Sequence, residues 1–141
     1  MKLVVDASVA LKWFLTARPE EDHLAQAEAV ATAIEDSQSE LFAPPHWIAE
    51  ITAVLARIDP GVVDDSLLIL DDMQPVVIDS VSVLRRAADL AISLDHHLFD
   101  SLYHAVALEE GAMLVTADEA YFAKAKSLGG SMPPSDLAFA K

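Results

Sequence analysis

Apolar residues occur along this chain in two alternating formats. Short runs, Leu3 to Val5, Leu41 to Ala43, the segment PVVID and AMLVTAD, each stop at a carboxylate or at proline. Runs this short and this apolar predict buried strands. Between them apolar residues recur every three to four positions, which predicts helices. The first helix carries Val9, Leu11, Trp13 and Phe14, with Ser8 as its expected cap. A second is expected over Glu21 to Asp36, preceded by Pro19, with Leu24, Ala27, Val30, Ala31 and Ile34 on one face. In HWIAEITAVLARI the stripe is Trp47, Ile48, Ile51, Val54, Leu55 and Ile58, ended by Pro60-Gly61. Further helices are expected from about Val62 to Met73, over residues 81–95 through Leu84, Ala88, Ala91 and Ile92, and in HLFDSLYHAVALEEG, which Gly111 ends. A last helix runs through Lys124 and Leu128, and the tail GGSMPPSDLAFAK predicts a loop with one further short strand.

Short apolar strands separated by helices indicate an α/β domain built on a parallel sheet. The length, 141 residues, fits a single domain spanning 1–141, with no internal repeat. A 53% hydrophobic composition fits a folded globule and excludes a disordered chain. Cysteine is absent, which excludes disulfides, thiolate zinc sites and a cysteine nucleophile, and permits a reducing cytoplasm. Asp6 and Lys12 interrupt the N-terminal apolar stretch too early for a signal peptide. No segment approaches the ~18 apolar residues of a membrane helix. The expectation is a soluble, cytoplasmic protein with no membrane partner. The formal net charge of −14, from 23 acids against 9 bases, disfavours bulk electrostatic binding of nucleic acid. It favours multivalent cations or a basic protein partner.

In an open parallel sheet, ligands bind beyond the carboxyl ends of the strands, where strand order reverses. Asp6 and Asp118 each follow an apolar strand directly, so both should emerge at that edge. Asp79 has the same placement, but a cap or turn role before the next helix explains it better. Glu50 lies at the margin of its helix's apolar stripe, beside Trp47 and Val54. Asp100 projects from a helix expected to bury Leu98, Phe99, Leu102, Ala105 and Val106, with His104 one turn on, where it could orient Asp100 or meet substrate, although a packed or surface role explains a lone histidine better. If Asp6, Glu50, Asp100 and Asp118 converge, they cannot all stay ionised unaided. A divalent cation resolves the conflict, and an all-oxygen donor set suits Mg²⁺ or Mn²⁺. Such ions polarise phosphoryl oxygens and activate water, which points to phosphodiester hydrolysis. Ser8 and Thr116, each two residues from an acid, are placed to orient a water or a carboxylate at the ion.

VVDASVAL, then Pro44-Pro45 with HWIAEITAVL, then LFDSLYHAVALEEGAMLVTAD together resemble the PIN-domain ribonucleases. The likeness is greatest to the VapC-type toxins of toxin–antitoxin pairs, and it runs from residue 3 to about residue 125. The resemblance places the four family acids at Asp6, Glu50, Asp100 and Asp118, and the family's Ser/Thr positions at Ser8 and Thr116. It implies a three-layer fold with a five-stranded parallel sheet in order 3-2-1-4-5, flanked by helices. It further implies a Mg²⁺- or Mn²⁺-dependent endoribonuclease with metal at Asp6, Asp100 and Asp118, a cognate antitoxin and a homodimer. The sequence departs from the family where a further acid commonly follows the fourth, because Glu119 and Tyr121 stand there. Few bases are available for phosphate contacts: Lys12, Arg18, Arg57, Arg85, Arg86, Lys124 and Lys126.

Two other readings weigh less. Dehalogenase-type phosphotransfer needs D-x-D, whereas position 8 is serine, and a receiver needs paired acids, whereas Val5 precedes Asp6. A non-catalytic PIN-like module that binds a basic protein partner keeps the acidic charge but leaves the intact acid set unexplained.

Overall fold

Strand β1 (Lys2–Val5) forms the middle of the sheet. It pairs in parallel with β2 (Glu40–Ala43), Leu3 opposite Leu41 and Val4 opposite Phe42. On its other side it pairs in parallel with β4 (Met113–Val115), Val4 opposite Leu114 and Val5 opposite Val115. The short strands β3 (Val76–Val77) and β5 (Ser131–Met132) form the edges, so five parallel strands stand in the order 3-2-1-4-5. This computed structural model describes residues 1–15 and 24–133. The architecture is the α/β fold and strand order implied by the sequence.

A central parallel strand is covered on both faces and therefore reads as continuous hydrophobicity. Leu3, Val4 and Val5 are accordingly at most 1% exposed. The same apolar run at the sheet edge behaves differently, since Val76 and Val77 are about half exposed, at 47% and 53%.

The helices of the described residues are α1 (Ala7–Phe14), α2 (Leu24–Glu35), α3 (Trp47–Ile58), α4 (Val63–Asp72), α5 (Val81–Leu94), α6 (Leu98–Glu110) and α7 (Glu119–Ala125). The expected start of the second helix near Glu21, with Pro19 ahead of it, lies outside the described residues, as does Arg18. Helix α6 packs against both the sheet and α5. It buries every residue from Ser101 to Ala107, as a helix enclosed on all sides must. Its first turn protrudes instead, leaving Leu98 and Phe99 exposed, against the expectation that both are core. Helix α5 also differs from expectation. Val83, Ala87 and Leu90 face inward, whereas Leu84 and Ile92 face solvent. Both stripes satisfy helical spacing, and the packing against α6 selects the one shifted by a residue.

Helix α6 ends as its sequence predicts. Gly111 adopts a left-handed φ of 64°, and its N–H returns to the carbonyl of Ala107. No helix of the described residues is long and apolar enough to cross a membrane.

Candidate metal centre at the carboxyl edge of the sheet

Asp6 continues the sheet for one residue beyond β1, its N–H donating to Val115 O at 2.9 Å. It then caps α1, which corrects the assignment of that cap to Ser8. Asp6 Oδ1 accepts the Ser8 N–H at 3.3 Å, and its carbonyl accepts from Val9 and Ala10. A cap must sit in extended geometry just before the first helical residue, and φ −60°, ψ 146° at Asp6 meets that need. The Ser8 hydroxyl instead accepts the Ala117 N–H at 3.0 Å, joining α1 to the turn after β4.

Thr116 completes the join. Its hydroxyl donates to Asp6 Oδ2 at 2.7 Å and accepts the Asp118 N–H at 3.0 Å. Asp6 is 7% exposed. Burial pushes its carboxyl up to about 6, the Thr116 and Ser8 hydrogen bonds oppose the rise, and the charges of Glu50 and Asp100 add to it. The adjacency of β1 and β4 thus brings Asp6 and Asp118, the first and last of the four candidate acids, into one bonded network.

Asp118 caps α7 through Oδ1, which accepts the Tyr121 N–H at 3.0 Å. Its Oδ2 remains on the open side, 4.0 Å from His96 Nε2. Asp100, in the first turn of α6, meets the same ring, with Oδ2 3.1 Å from His96 Nε2. Donor atoms of His96, Asp100 and Asp118 all lie within 4.8 Å of one another. Glu50, one turn into α3, is one-third exposed and has Oε2 3.3 Å from His46 Nε2. Its charge reaches both Asp6 and Tyr103.

Two aromatics line this edge. Tyr103, one turn past Asp100, is fully buried, and burial together with the charges of Glu50, Asp6 and Asp100 raises its phenol far above the ordinary value. Tyr121 is pushed up to about 12, first by burial. Both therefore stay neutral beside the acids. His104 is buried, with Nδ1 2.9 Å from Tyr121 Oη and Nε2 2.7 Å from Gly129 O. Both its nitrogens are so engaged, and the residue that meets Asp100 is His96. Burial also lowers the His104 pKa from 6.5.

Sequence reading missed His96, His46 and the role of Tyr103. The available signal was spacing: His96 and His46 each stand four residues before an acid, and Tyr103 three after one. Asp79 is exposed in the turn before α5, whose cap is Ser80, and Glu119 is exposed in the first turn of α7. Among the bases, Arg86 pairs with Glu109 at 2.8 Å, Lys12 is buried, and Lys124 is tied to Asp95 and His96.

The donor set fits a divalent cation. Carboxylates from two separate elements face each other with an imidazole between them, and the buried Asp6 carboxyl, its pKa raised by burial, is joined to Asp118 through Thr116. A cation near these groups would offset their repulsion and favour the charged form of Asp6.

No curated protein matches the sequence. A family model described as PIN domain matches residues 3–128. Among solved structures, PAE2754 from Pyrobaculum aerophilum is similar with a TM-score of 0.65 at 19% identity, covering 96% of this chain and 90% of that one. VapBC-1 from nontypeable Haemophilus influenzae gives 0.64 at 17% identity, covering 96% of this chain and 100% of that one. FitAcB from Neisseria gonorrhoeae gives 0.64 at 17%, covering 96% and 99% respectively. At such identities the likeness is one of fold.

Proposed function

We propose, on the premise that this chain belongs to the PIN domain family, that it is a metal-dependent endoribonuclease that hydrolyses RNA phosphodiester bonds. The observation that carries this reading is the cluster of Asp100 and Asp118 around His96, with Asp6 joined to Asp118 through Thr116 and within reach of the Asp100 charge. Asp6, Asp100 and Asp118 would hold Mg²⁺ or Mn²⁺, which supplies positive charge to a phosphoryl group and acidity to water. Glu50, on α3, whose charge reaches Asp6, is the carboxylate that would take a proton from water. Thr116 and Ser8 keep the Asp6 carboxyl in place. Tyr103 and Tyr121 exclude water from behind the acids.

The antitoxin partner follows from the family likeness, and the chemistry of its contact from charge. In this reading the chain is a single cytoplasmic domain, the toxin of a type II toxin–antitoxin pair. A cognate antitoxin restrains it by placing an Arg or Lys among the acids, where it replaces the cation. Structures such as VapBC-1 and FitAcB, whose fold this chain shares, support an antitoxin partner, and a homodimer is what the family resemblance implies. A second reading, a non-catalytic module for a basic partner, is favoured by the net charge of −14 alone.

The test is cleavage of single-stranded or looped RNA by the purified protein with Mn²⁺. The expected result is cleavage by the parent and none by Asp118→Asn. Undiminished cleavage by that variant removes the site. Calorimetry separates the two readings: a catalytic centre binds Mn²⁺ and loses it with Asp100→Asn, whereas an acidic docking surface is indifferent to that change.

A further inference from the structure

We propose that His96 and Lys124 form a positioning pair in which His96 donates a hydrogen bond to Asp100 and is not itself a metal ligand. The proposal rests on the metal centre described above, although its first test does not.

Distance alone would make His96 a ligand, since its Nε2 lies among the oxygens of Asp100 and Asp118. Proton count points the other way. Helix α5 stops at Asp95, whose left-handed φ of 50° folds the chain back so that the His96 N–H reaches Ala91 O at 3.0 Å. That turn lays the His96 ring over the first turn of α6, where its side chain is 10% exposed. The ring is fixed edge-on to Tyr121, with centroids 5.1 Å apart.

Its two nitrogens meet opposite environments. Nε2 faces the Asp100 carboxylate at 3.1 Å. Nδ1 faces the Lys124 ammonium at 3.3 Å, and the same ammonium donates to Asp95 O at 2.9 Å. An ammonium has three donors and no acceptor. Nδ1 must therefore present its lone pair, and the proton of the neutral ring sits on Nε2. Nε2 then has no lone pair for a cation, and its N–H points at Asp100 Oδ2. To ligate through Nε2 the ring would have to move its proton to Nδ1 and displace Lys124. The arrangement is an orienting donor behind a ligating carboxylate, held in one tautomer by a lysine. The cation then meets oxygen donors only, which keeps a preference for hard ions such as Mg²⁺ and Mn²⁺.

The first measurement is long-range ¹H–¹⁵N NMR of the metal-free protein at pH 8. It should show His96 as the Nε2–H tautomer, and Lys124→Met should raise the share of the Nδ1–H form. A dominant Nδ1–H tautomer in the parent overturns the proposal whether or not the protein binds metal. The second is pulsed electron paramagnetic resonance of the Mn²⁺ complex, which should show no directly bound histidine nitrogen. A strong nitrogen coupling that vanishes in His96→Gln overturns it. The third is calorimetric Mn²⁺ affinity. His96→Gln keeps a donor and should stay within a few-fold of the parent, whereas His96→Ala should lose ~10-fold or more. Equal losses in the two variants would count against positioning. Failure to bind Mn²⁺ at all would overturn the metal centre and leave the tautomer result standing.

Discussion

Replacing Asp6 by Asn should make the metal-free protein more stable at pH 8 while it destroys the site. The carboxyl rises from its ordinary 3.8 to about 6 in the folded state, chiefly through burial. The native state therefore holds the proton more tightly than the unfolded chain between those two values. The associated stability is complete below pH 3.8 and is lost as pH rises through about 6. At about 1.4 kcal/mol per pH unit, the ionised group costs the fold about 3 kcal/mol at pH 8. Asn removes the charge and keeps the shape. It caps helices as well as Asp does, but its amide fits only one of the two roles that Thr116 and Ser8 require of the carboxylate, a loss of about 1 kcal/mol. The expected net gain is about 2 kcal/mol at pH 8, turning into a small loss at pH 4. Urea denaturation in excess chelator measures it, followed by the fluorescence of Trp13 and Trp47, whose rings lie 6.5 Å apart. A variant less stable than the parent at pH 8, or a difference that does not change with pH, would refute the reasoning.

Thr116→Val removes a donor to a buried carboxylate and an acceptor for the Asp118 N–H; it should cost about 2 kcal/mol at pH 8, and a loss near zero in the same titration contradicts the network. His104 is held below 6.5 by burial, so the unfolded chain takes up its proton first and stability falls as pH drops below 6.5. His104→Gln should flatten that part of the pH profile, and parallel profiles for parent and variant would argue against a buried neutral ring. Gly111→Ala meets no atom within 4 Å, so only the left-handed backbone resists it; thermal denaturation should show a loss of about 1 kcal/mol with RNA cleavage unchanged. Because only 9 bases stand against 23 acids, raising salt from about 50 to 200 mM should slow RNA cleavage far less than the 10³-fold typical of a protein with many phosphate contacts; a steep salt dependence measured in Mn²⁺ would reveal a basic surface that has been overlooked.

The sheet was legible where burial is symmetric. A strand covered on both faces must be apolar throughout, so β1 and β4 announced themselves by composition alone. Helix phase was legible only where one face is wet. Helix α3 has such a face and buries Trp47, Ile51 and Leu55, all in the expected stripe. Helix α5 offers two competing stripes of alanine and aliphatic residues, and composition cannot choose between Val83 and Leu84. Helix α6 is enclosed along that stretch from Ser101 to Ala107, so no stripe exists to be read, and His104 enters it through its hydrogen bonds rather than its hydrophobicity.

The acids were legible for a related reason. A carboxylate directly after an apolar strand has few places to go, and strand order then decides which of them meet. What surrounds them was not legible, because a histidine reads the same whether it ligates, donates or packs. His96 and His104 differ only in what faces each nitrogen. One ring lies between a carboxylate and an ammonium, the other between a phenol and a backbone carbonyl. Two of those partners come from α7, which Asp118 caps and which carries Tyr121 and Lys124 on successive turns. The short helix thus supplies a site oxygen, the hydroxyl that engages one histidine and the ammonium that sets the proton of the other. A substitution that unwinds α7 should therefore disturb Asp100 as well as Asp118, although Asp100 lies on a different helix.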